Sequence, residues 1–299
     1  MKHIMVTGSN GMIGSQVVNK LLKKGYKVTG ISAEPTSKIK HENYSYISMD
    51  LTSYPMLREV FENNNFTHVI HLAAIAHSIK GVKISWSRYY RINTLMSKQI
   101  FELASEQSIP IFFSSTVDVY GIQENVIDEK TVPNPIGFYG KSKVLAEKAL
   151  IEIAKQPYLI ARFVPVYTES NKKDIYRRYY IKYPKVAYLM NKGMDYEFLS
   201  LDIAIFVIAQ WVDNYESMDG ILNVVDKISN NTKKMLEKDF GNGVKPLVLN
   251  IPKFLYKLMI LAVDILFYKL QFYKFSAYKI LKPMRFDKRK LQKVLYYNS

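Results

Sequence analysis

The 299-residue chain contains no cysteine. Disulfides, thiolate metal sites and a cysteine nucleophile are therefore excluded. Its five histidines show no HExxH or comparable ligand spacing, so no metal is expected. Long uncharged apolar runs are also missing. The nearest approach to a membrane span, residues 255–272, carries Lys257, Asp264 and Lys269, too many charges for a hydrocarbon layer. The opening Met1-Lys-His-Ile-Met-Val-Thr-Gly8 has neither the apolar stretch nor the cleavage site of a secretion signal, so a cytoplasmic location is expected. Acidic residues are scarce, 26 against 42 Lys plus Arg, for a net charge of +16. From Gly243 to Ser299 the imbalance sharpens to 12 basic residues against two aspartates. Such charge suits nucleic acid, anionic lipid or an anionic substrate. No nucleic-acid motif accompanies it, so no nucleic-acid partner is expected. Most of these lysines read as a solvated surface.

What is present is a core and a pattern. Hydrophobic residues make up 48% of the chain, which excludes general disorder. The length fits one large or two closely joined domains. In the first half, short apolar runs alternate with amphipathic stretches, the signature of a parallel sheet covered by helices. Strands are expected at 3–7, 26–31, 44–48, 68–73, 111–114 and 158–162. Helices are expected at 15–24, 56–63, 92–106 and 139–154. After Pro165 the pattern loosens: 171–185 is polar, tyrosine-rich and basic, 201–211 is an apolar helix, 221–225 a strand, and the rest reads as helices. The expected fold is α/β, a doubly wound parallel sheet with a small, mostly helical C-terminal lobe.

Three motifs carry chemistry. Gly8-Ser-Asn10-Gly11-Met12-Ile13-Gly14 lies between a strand and a helix. Glycines there let backbone approach a pyrophosphate while the helix N-terminus supplies N–H groups, so the loop reads as a dinucleotide site. Tyr139 and Lys143 stand one helical turn apart and share a side. An ammonium and an oxidised nicotinamide beside a phenol favour its ionised form, so Tyr139 reads as a proton carrier and Lys143 as the group that makes it acidic. Ser114-Ser115-Thr116 ends a strand, and Thr116 or Ser115 can aim a substrate oxygen. Together they describe hydride transfer at a carbinol carbon.

Other positions are more open. Ser32, at the end of the second strand, stands where an acidic residue would bind a ribose 2′-hydroxyl. With Lys38 and Lys40 following, the lean is to NADP over NAD, although Glu34 is close by. Asp50, before Leu51, reads either as an adenine contact or as a helix cap. His71 reads as a structural residue of a buried strand. His77 falls in a loop able to face the nicotinamide. Asn93 reads as support for the active site or as a cap, and Arg162 as a partner of phosphate or of a buried carboxylate. Leu255, Met259, Leu261, Ala262 and Leu266 fall on one helical face with Lys257, Lys269 and Lys274 near its edges. That face suits packing on the lobe, or weak, salt-sensitive contact with an anionic membrane at the inner surface.

These residues resemble the extended short-chain dehydrogenase/reductase family, in its sugar-nucleotide epimerase/dehydratase/reductase branch. The resemblance covers about the first 165 residues. It rests on Thr7-Gly-Ser-Asn-Gly-Met-Ile-Gly14, Asp50-Leu51, His71-Leu72-Ala73-Ala74, Asn93, Ser114-Ser-Thr-Val-Asp-Val-Tyr-Gly121 and Tyr139-Gly-Lys-Ser-Lys143. Weaker echoes are Arg162-Phe-Val-Pro-Val-Tyr167, Phe198-Leu-Ser-Leu-Asp202 and Phe286-Asp-Lys-Arg-Lys-Leu291. It implies a Rossmann-like NAD(P)-binding domain at 1–165, a sugar-nucleotide lobe at 166–299 partly interleaved with it, and a homodimer through a four-helix interface. It places the cofactor on Gly8 to Gly14, Ser32, Asp50, Leu51, Leu72, Ala73, Ala74, Asn93, Ser114, Tyr139 and Lys143. The substrate falls to His77, Thr116 and Arg162. Two departures stand out. Tyr196 and Glu197 precede Phe198 where the family often has a basic residue for the diphosphate, which points to other cations such as those of 171–185. Val117 follows Thr116 and Asp118 comes one later, which argues against dehydration. The expected activity is reduction of a 4-keto (deoxy)hexose nucleotide in surface-polysaccharide precursor synthesis. The alternatives are a nucleotide-sugar 4-epimerase and a non-catalytic NAD(P)-binding sensor.

Overall fold

The computed structural model describes residues 1–76 and 84–296. His3–Thr7 (β1) is buried at every position, as a parallel strand covered on both faces must be. Lys27–Ser32 (β2), Tyr44–Ser48 (β3), His68–His71 (β4), Ile111–Thr116 (β5) and Tyr158–Phe163 (β6) pair with it in one parallel sheet. The seventh strand, Gly220–Val224, comes from the second half of the chain and pairs with β6.

Alternation along each strand sorts side chains into two layers. Ile4, Val6, Ile70 and Phe112 face one layer, with Val17, Val18 and Leu21 of the helix Met12–Lys23 (α1). Trp211 and Val207 of a late helix, Leu201–Asn214, complete that layer. Met5, Val69, Ile111 and Phe113 face the other, with Leu57 and Phe61 of Tyr54–Glu62 (α2). A bent helical stretch covers this second layer: Trp86–Tyr89 (α3), a π-helical segment Tyr90–Leu95, and Met96–Glu106 (α4). Phe138–Ile153 (α5) lies beside it. Each aliphatic side chain so buried contributes roughly 1.5–3 kcal/mol. β1 has β2 on one side and β4 on the other. Strand order therefore reverses there, and a crevice opens at the C-terminal strand ends.

The fold departs from the sequence expectation in several places, and the strand expected at 68–73 stops at His71. The helix expected at 92–106 begins at Trp86 and runs through the π segment. The strand expected to stop at Ser114 continues to Thr116. The C-terminal lobe, expected to be mostly helical, also holds a three-stranded sheet, Tyr180–Lys182 (β7) and Val186–Met190 (β8) with Leu247–Ile251. Numbering in chain order, Gly220–Val224 is β9, Leu247–Ile251 is β10, Leu201–Asn214 is α6 and Thr232–Gly241 is α7. β8 finds β10 some sixty residues away, a pairing that local pattern does not announce.

The tyrosines of the basic segment build the lobe's core. Tyr179 and Tyr180 are buried, and their hydroxyls both donate to Asp239, at 2.9 and 3.0 Å. Lys253–Leu266 (α8) and Gln271–Leu281 (α9) close the lobe, and Arg289–Tyr296 (α10) returns to β9. Of the helical face expected from the sequence, Met259 packs on the lobe, whereas Leu255, Leu261, Ala262 and Leu266 are exposed. Among the described residues, no helix is long and apolar enough to cross a membrane.

Candidate active site

β1 ends at Thr7 and the chain turns at Gly8, where φ is +69° and an added Cβ would stand 3.0 Å from the Ala73 backbone. At Gly14 a Cβ would lie 2.1 Å from the Gly8 carbonyl oxygen. Both positions therefore need glycine for the loop to close on its helix. Gly11 and Met12 are exposed at the start of α1, and no side chain caps that helix. An open helix N-terminus behind a glycine cradle fits a pyrophosphate. Asn10 shapes the loop. Its amide donates to the Thr36 carbonyl at 2.8 Å and the Tyr46 hydroxyl at 3.1 Å, and its backbone N–H donates to Ser32 Oγ at 3.2 Å. Ser32, read as the residue choosing between the two cofactors, is buried and braces the loop. Asp50 is exposed and accepts from the backbone and hydroxyl of Thr52, both at 2.9 Å, which holds its carboxyl below the usual range. The cap of α2 is Ser53, not Asp50. The Leu51 side chain turns into the core.

The loop after β4 is held from beneath. His71 is fully buried between Thr7 Oγ1, 2.7 Å, and Ser97 Oγ, 2.8 Å, and stacks on Phe113. Burial, and then the charge of Lys143, keep its pKa well below 6.5, so it is a neutral structural imidazole. Ala73 N–H donates to Thr7 Oγ1 at 3.3 Å, and Ala74 beside it is exposed. Asn93 sits in the π segment, a kind of helical irregularity often found at functional sites. Its amide exchanges two 2.9 Å bonds with the Ile75 backbone and donates to Ser142 Oγ at 3.1 Å. Ser142 in turn donates to the Tyr139 carbonyl at 2.8 Å. Asn93, expected among the cofactor contacts, is fully buried, and its side chain ties the β4 loop to α5. His77 lies outside the described residues.

Tyr139 and Lys143 project from α5, and Thr116 ends β5 beside them. Thr116 Oγ1 accepts from the Asp118 backbone N–H at 3.2 Å, and Thr116 and Tyr139 line one cavity. Lys143 is 2% exposed, with its ammonium 4.2 Å from the Phe113 ring centre. Burial lowers its pKa to about 7, against the pull of Glu147. Burial, then Asp118 and Tyr89, push the Tyr139 phenol upward, and the Thr116 side chain opposes them. The expected acidic tyrosine is therefore not a property of the protein alone, because desolvation and the carboxylate of Asp118 dominate its surroundings. Of two further expected site residues, Ser115 lines the cavity but commits its hydroxyl beneath it, and Arg162 lies below. Ser115 donates its hydroxyl to Glu147. Arg162, 2% exposed, pairs with Glu147 at 2.6 and 3.1 Å and donates to the Tyr120 hydroxyl at 2.8 Å. Its partner is the buried carboxylate, not a phosphate.

Above these groups lies a cavity of about 510 Å³. Met12, Ser114, Thr116, Asp118 and Tyr139 line the sheet side. Arg177, Arg178, Lys279 and Lys282 line the lobe side. Lys279 pairs with Asp118 at 2.7 Å, and Arg178 Nη1 donates to the Lys279 carbonyl at 2.6 Å. Arg178 Nε is buried with no partner among the described residues. Glu197 is neutralised by Lys288 at 2.8 Å. Cations thus face the hydroxyl groups across the cavity, an arrangement that suits a substrate with an anionic end. The basic segment 171–185 announced Arg177 and Arg178. Nothing local pointed to Lys279, Ser142 or Glu147, because each acquires its role from a partner distant in the chain.

A glycine loop at a helix N-terminus beside a threonine, a tyrosine and a lysine is the pattern of a dinucleotide-dependent enzyme class, the short-chain dehydrogenase type. Within it, the chain belongs to the NAD dependent epimerase/dehydratase family, whose profile matches residues 4–198. It is 30% identical over 180 residues to a UDP-glucose 4-epimerase of Caenorhabditis elegans, covering 51% of this chain and 50% of that protein. It is 32% identical over 194 residues to an uncharacterized UDP-glucose epimerase of Bacillus subtilis, covering 58% and 59%. The chain spans about half the length of the curated relatives it matches. Its fold superimposes with a TM-score of 0.68 on a UDP-glucuronic acid 4-epimerase from Bacillus cereus in complex with NAD, at 23% identity, over 84% of this chain and 88% of that one.

Proposed function

We propose that the protein interconverts the C4 epimers of a nucleotide sugar, using NAD. The carrying observation is Thr116 and Tyr139 at the floor of a cavity whose opposite wall is cationic. The names of its relatives support epimerisation over the reduction expected from the sequence. The lean to NADP finds no support, since the comparison structure holds NAD and Ser32 is occupied with bracing the glycine loop.

When bound, the nicotinamide supplies reversible hydride transfer at the sugar carbon. The chain's own residues do the rest. The glycine loop and the start of α1 hold the pyrophosphate. Thr116 aims the C4 oxygen at Tyr139. Lys143 and the positive ring of the oxidised cofactor would favour the Tyr139 phenolate beforehand, so that Tyr139 takes the proton of that oxygen, holds it as the neutral phenol while C4 is a ketone, and later returns it. Arg178, Lys279 and Lys282 meet the diphosphate in place of the basic residue missing before Phe198.

The experiment is to incubate the purified protein with UDP-glucose and NAD and follow the sugar by NMR. Appearance of the C4 epimer with no net change in cofactor absorbance is the expected result. Stoichiometric loss of NADPH with a 4-keto sugar nucleotide would instead establish a reductase, and binding without turnover a sensor.

A further inference from the structure

We infer that α8 and the turn into α9 form a surface that rests on an anionic membrane. One row of α8, Tyr256, Met259, Ile260 and Val263, packs on Tyr188, Met190 and Leu281 of the lobe. The opposite row is equally apolar and faces outward. Phe254, Leu258, Leu261 and Ile265 recur at helical spacing and are 54–67% exposed. The turn extends the patch through Tyr268, Leu270 and Phe272, each more than half exposed. A contiguous apolar surface of this kind marks a binding face.

Charge selects what covers it. Lys253, Lys257 and Lys269 border the patch, are exposed, and form no ion pair among the described residues. Asp264 is the one acid from Lys253 to Leu281. It is already engaged by Lys274 at 2.6 Å and by the Tyr278 hydroxyl at 2.5 Å. A second copy related by two-fold symmetry would set these lysines against each other with no free acid between them. An anionic lipid surface satisfies both features: acyl chains take Phe254, Leu258 and Leu261, headgroups take the lysines, and tyrosine sits at the boundary. The 14 residues of α8 span about 21 Å, short of the roughly 30 Å hydrocarbon layer, so the helix lies flat. The patch also adjoins the catalytic helix. Phe272 stands over Gly137, the N-cap of α5, within 3.7 Å of where a Cβ would be. A lipid-bound face would thus hold the cavity mouth near headgroup level.

Flotation of the 299-residue chain with phosphatidylglycerol and with phosphatidylcholine vesicles tests this without reference to catalysis. Binding to phosphatidylglycerol at low salt, lost at high salt and absent for phosphatidylcholine, is expected. Lys253→Gln, Lys257→Gln and Lys269→Gln should each weaken it roughly fivefold, the worth of one lysine near an anionic surface. Leu261→Glu with Ile265→Glu should abolish it while leaving the melting temperature unchanged, since both side chains are already in solvent. No flotation of the unaltered protein at low salt overturns the inference, as does flotation that these glutamates leave intact. Self-association removed by the glutamates, without vesicle binding, assigns the face to a second copy and overturns it equally.

Discussion

Tyr139 is a weak acid made weaker by its surroundings, so the catalytic use proposed for it depends on what the bound cofactor and Lys143 add. Replacing it by phenylalanine keeps the ring and removes the proton path. Tyr139→Phe is expected to lower turnover about 10²–10⁴-fold while cofactor affinity changes only a few-fold, measured by steady-state rates and calorimetry. Near-normal turnover would remove Tyr139 from the mechanism. The glycines separate in the same way. Gly11 is exposed, and a Cβ there meets only the Gly8 carbonyl oxygen at 3.1 Å. Gly11→Val should therefore fold normally yet lose dinucleotide binding, because the side chain fills the space the pyrophosphate needs. Unchanged affinity by calorimetry would place the nucleotide elsewhere.

At the scale of elements, strands and helices are locked together by buried polar groups rather than by packing alone. The pair Arg162 on β6 and Glu147 on α5 is 2–3% exposed and carries Ser115 and Tyr120 with it. Removing one partner strands the other charge in the interior. Arg162→Met is expected to cost about 3–5 kcal/mol in a denaturant titration. The folded fraction should keep its KM for the nucleotide sugar, because the guanidinium does not reach the cavity. A raised KM with unchanged stability would restore Arg162 as a substrate contact. The π segment works similarly. Through Asn93 it fixes the β4 loop and, by way of Ser142, the backbone of Tyr139.

For the whole molecule, acid should loosen the sheet through its buried histidines. His68 packs edge-on to Trp211 and Tyr215, and burial lowers its pKa from 6.5 to about 4. Above pH 6.5 this imidazole is neutral whether the chain is folded or unfolded. Below it the unfolded chain binds the proton more tightly, so stability falls with pH until the folded pKa near 4 is reached. His3 and His71, both lowered by burial, act in the same direction. Thermal melts should decline across that window, and His68→Leu should make the decline shallower. A variant melting curve parallel to the original at every pH would show that His68 does not contribute.

The sequence by itself determined the alternating strands and helices of the first half, the glycine loop and the Tyr139–Lys143 spacing. These are local: a period of two or 3.6 residues, a glycine that a turn demands, two side chains one helical turn apart. Tertiary structure decided the rest. Arg162 and Ser115 looked like site residues because they end a strand near the motif, yet alternation within β5 and β6 gave them a buried carboxylate for a partner. Asn93 was visible as special, but its pairing with Ile75 and Ser142 required the β4 loop and α5 to meet. The lobe's sheet depended on β8 finding β10, and the cationic wall on α9 bringing Lys279 to Asp118. Neither end of such a contact carries a signal alone, because its energy comes from burying two distant groups together.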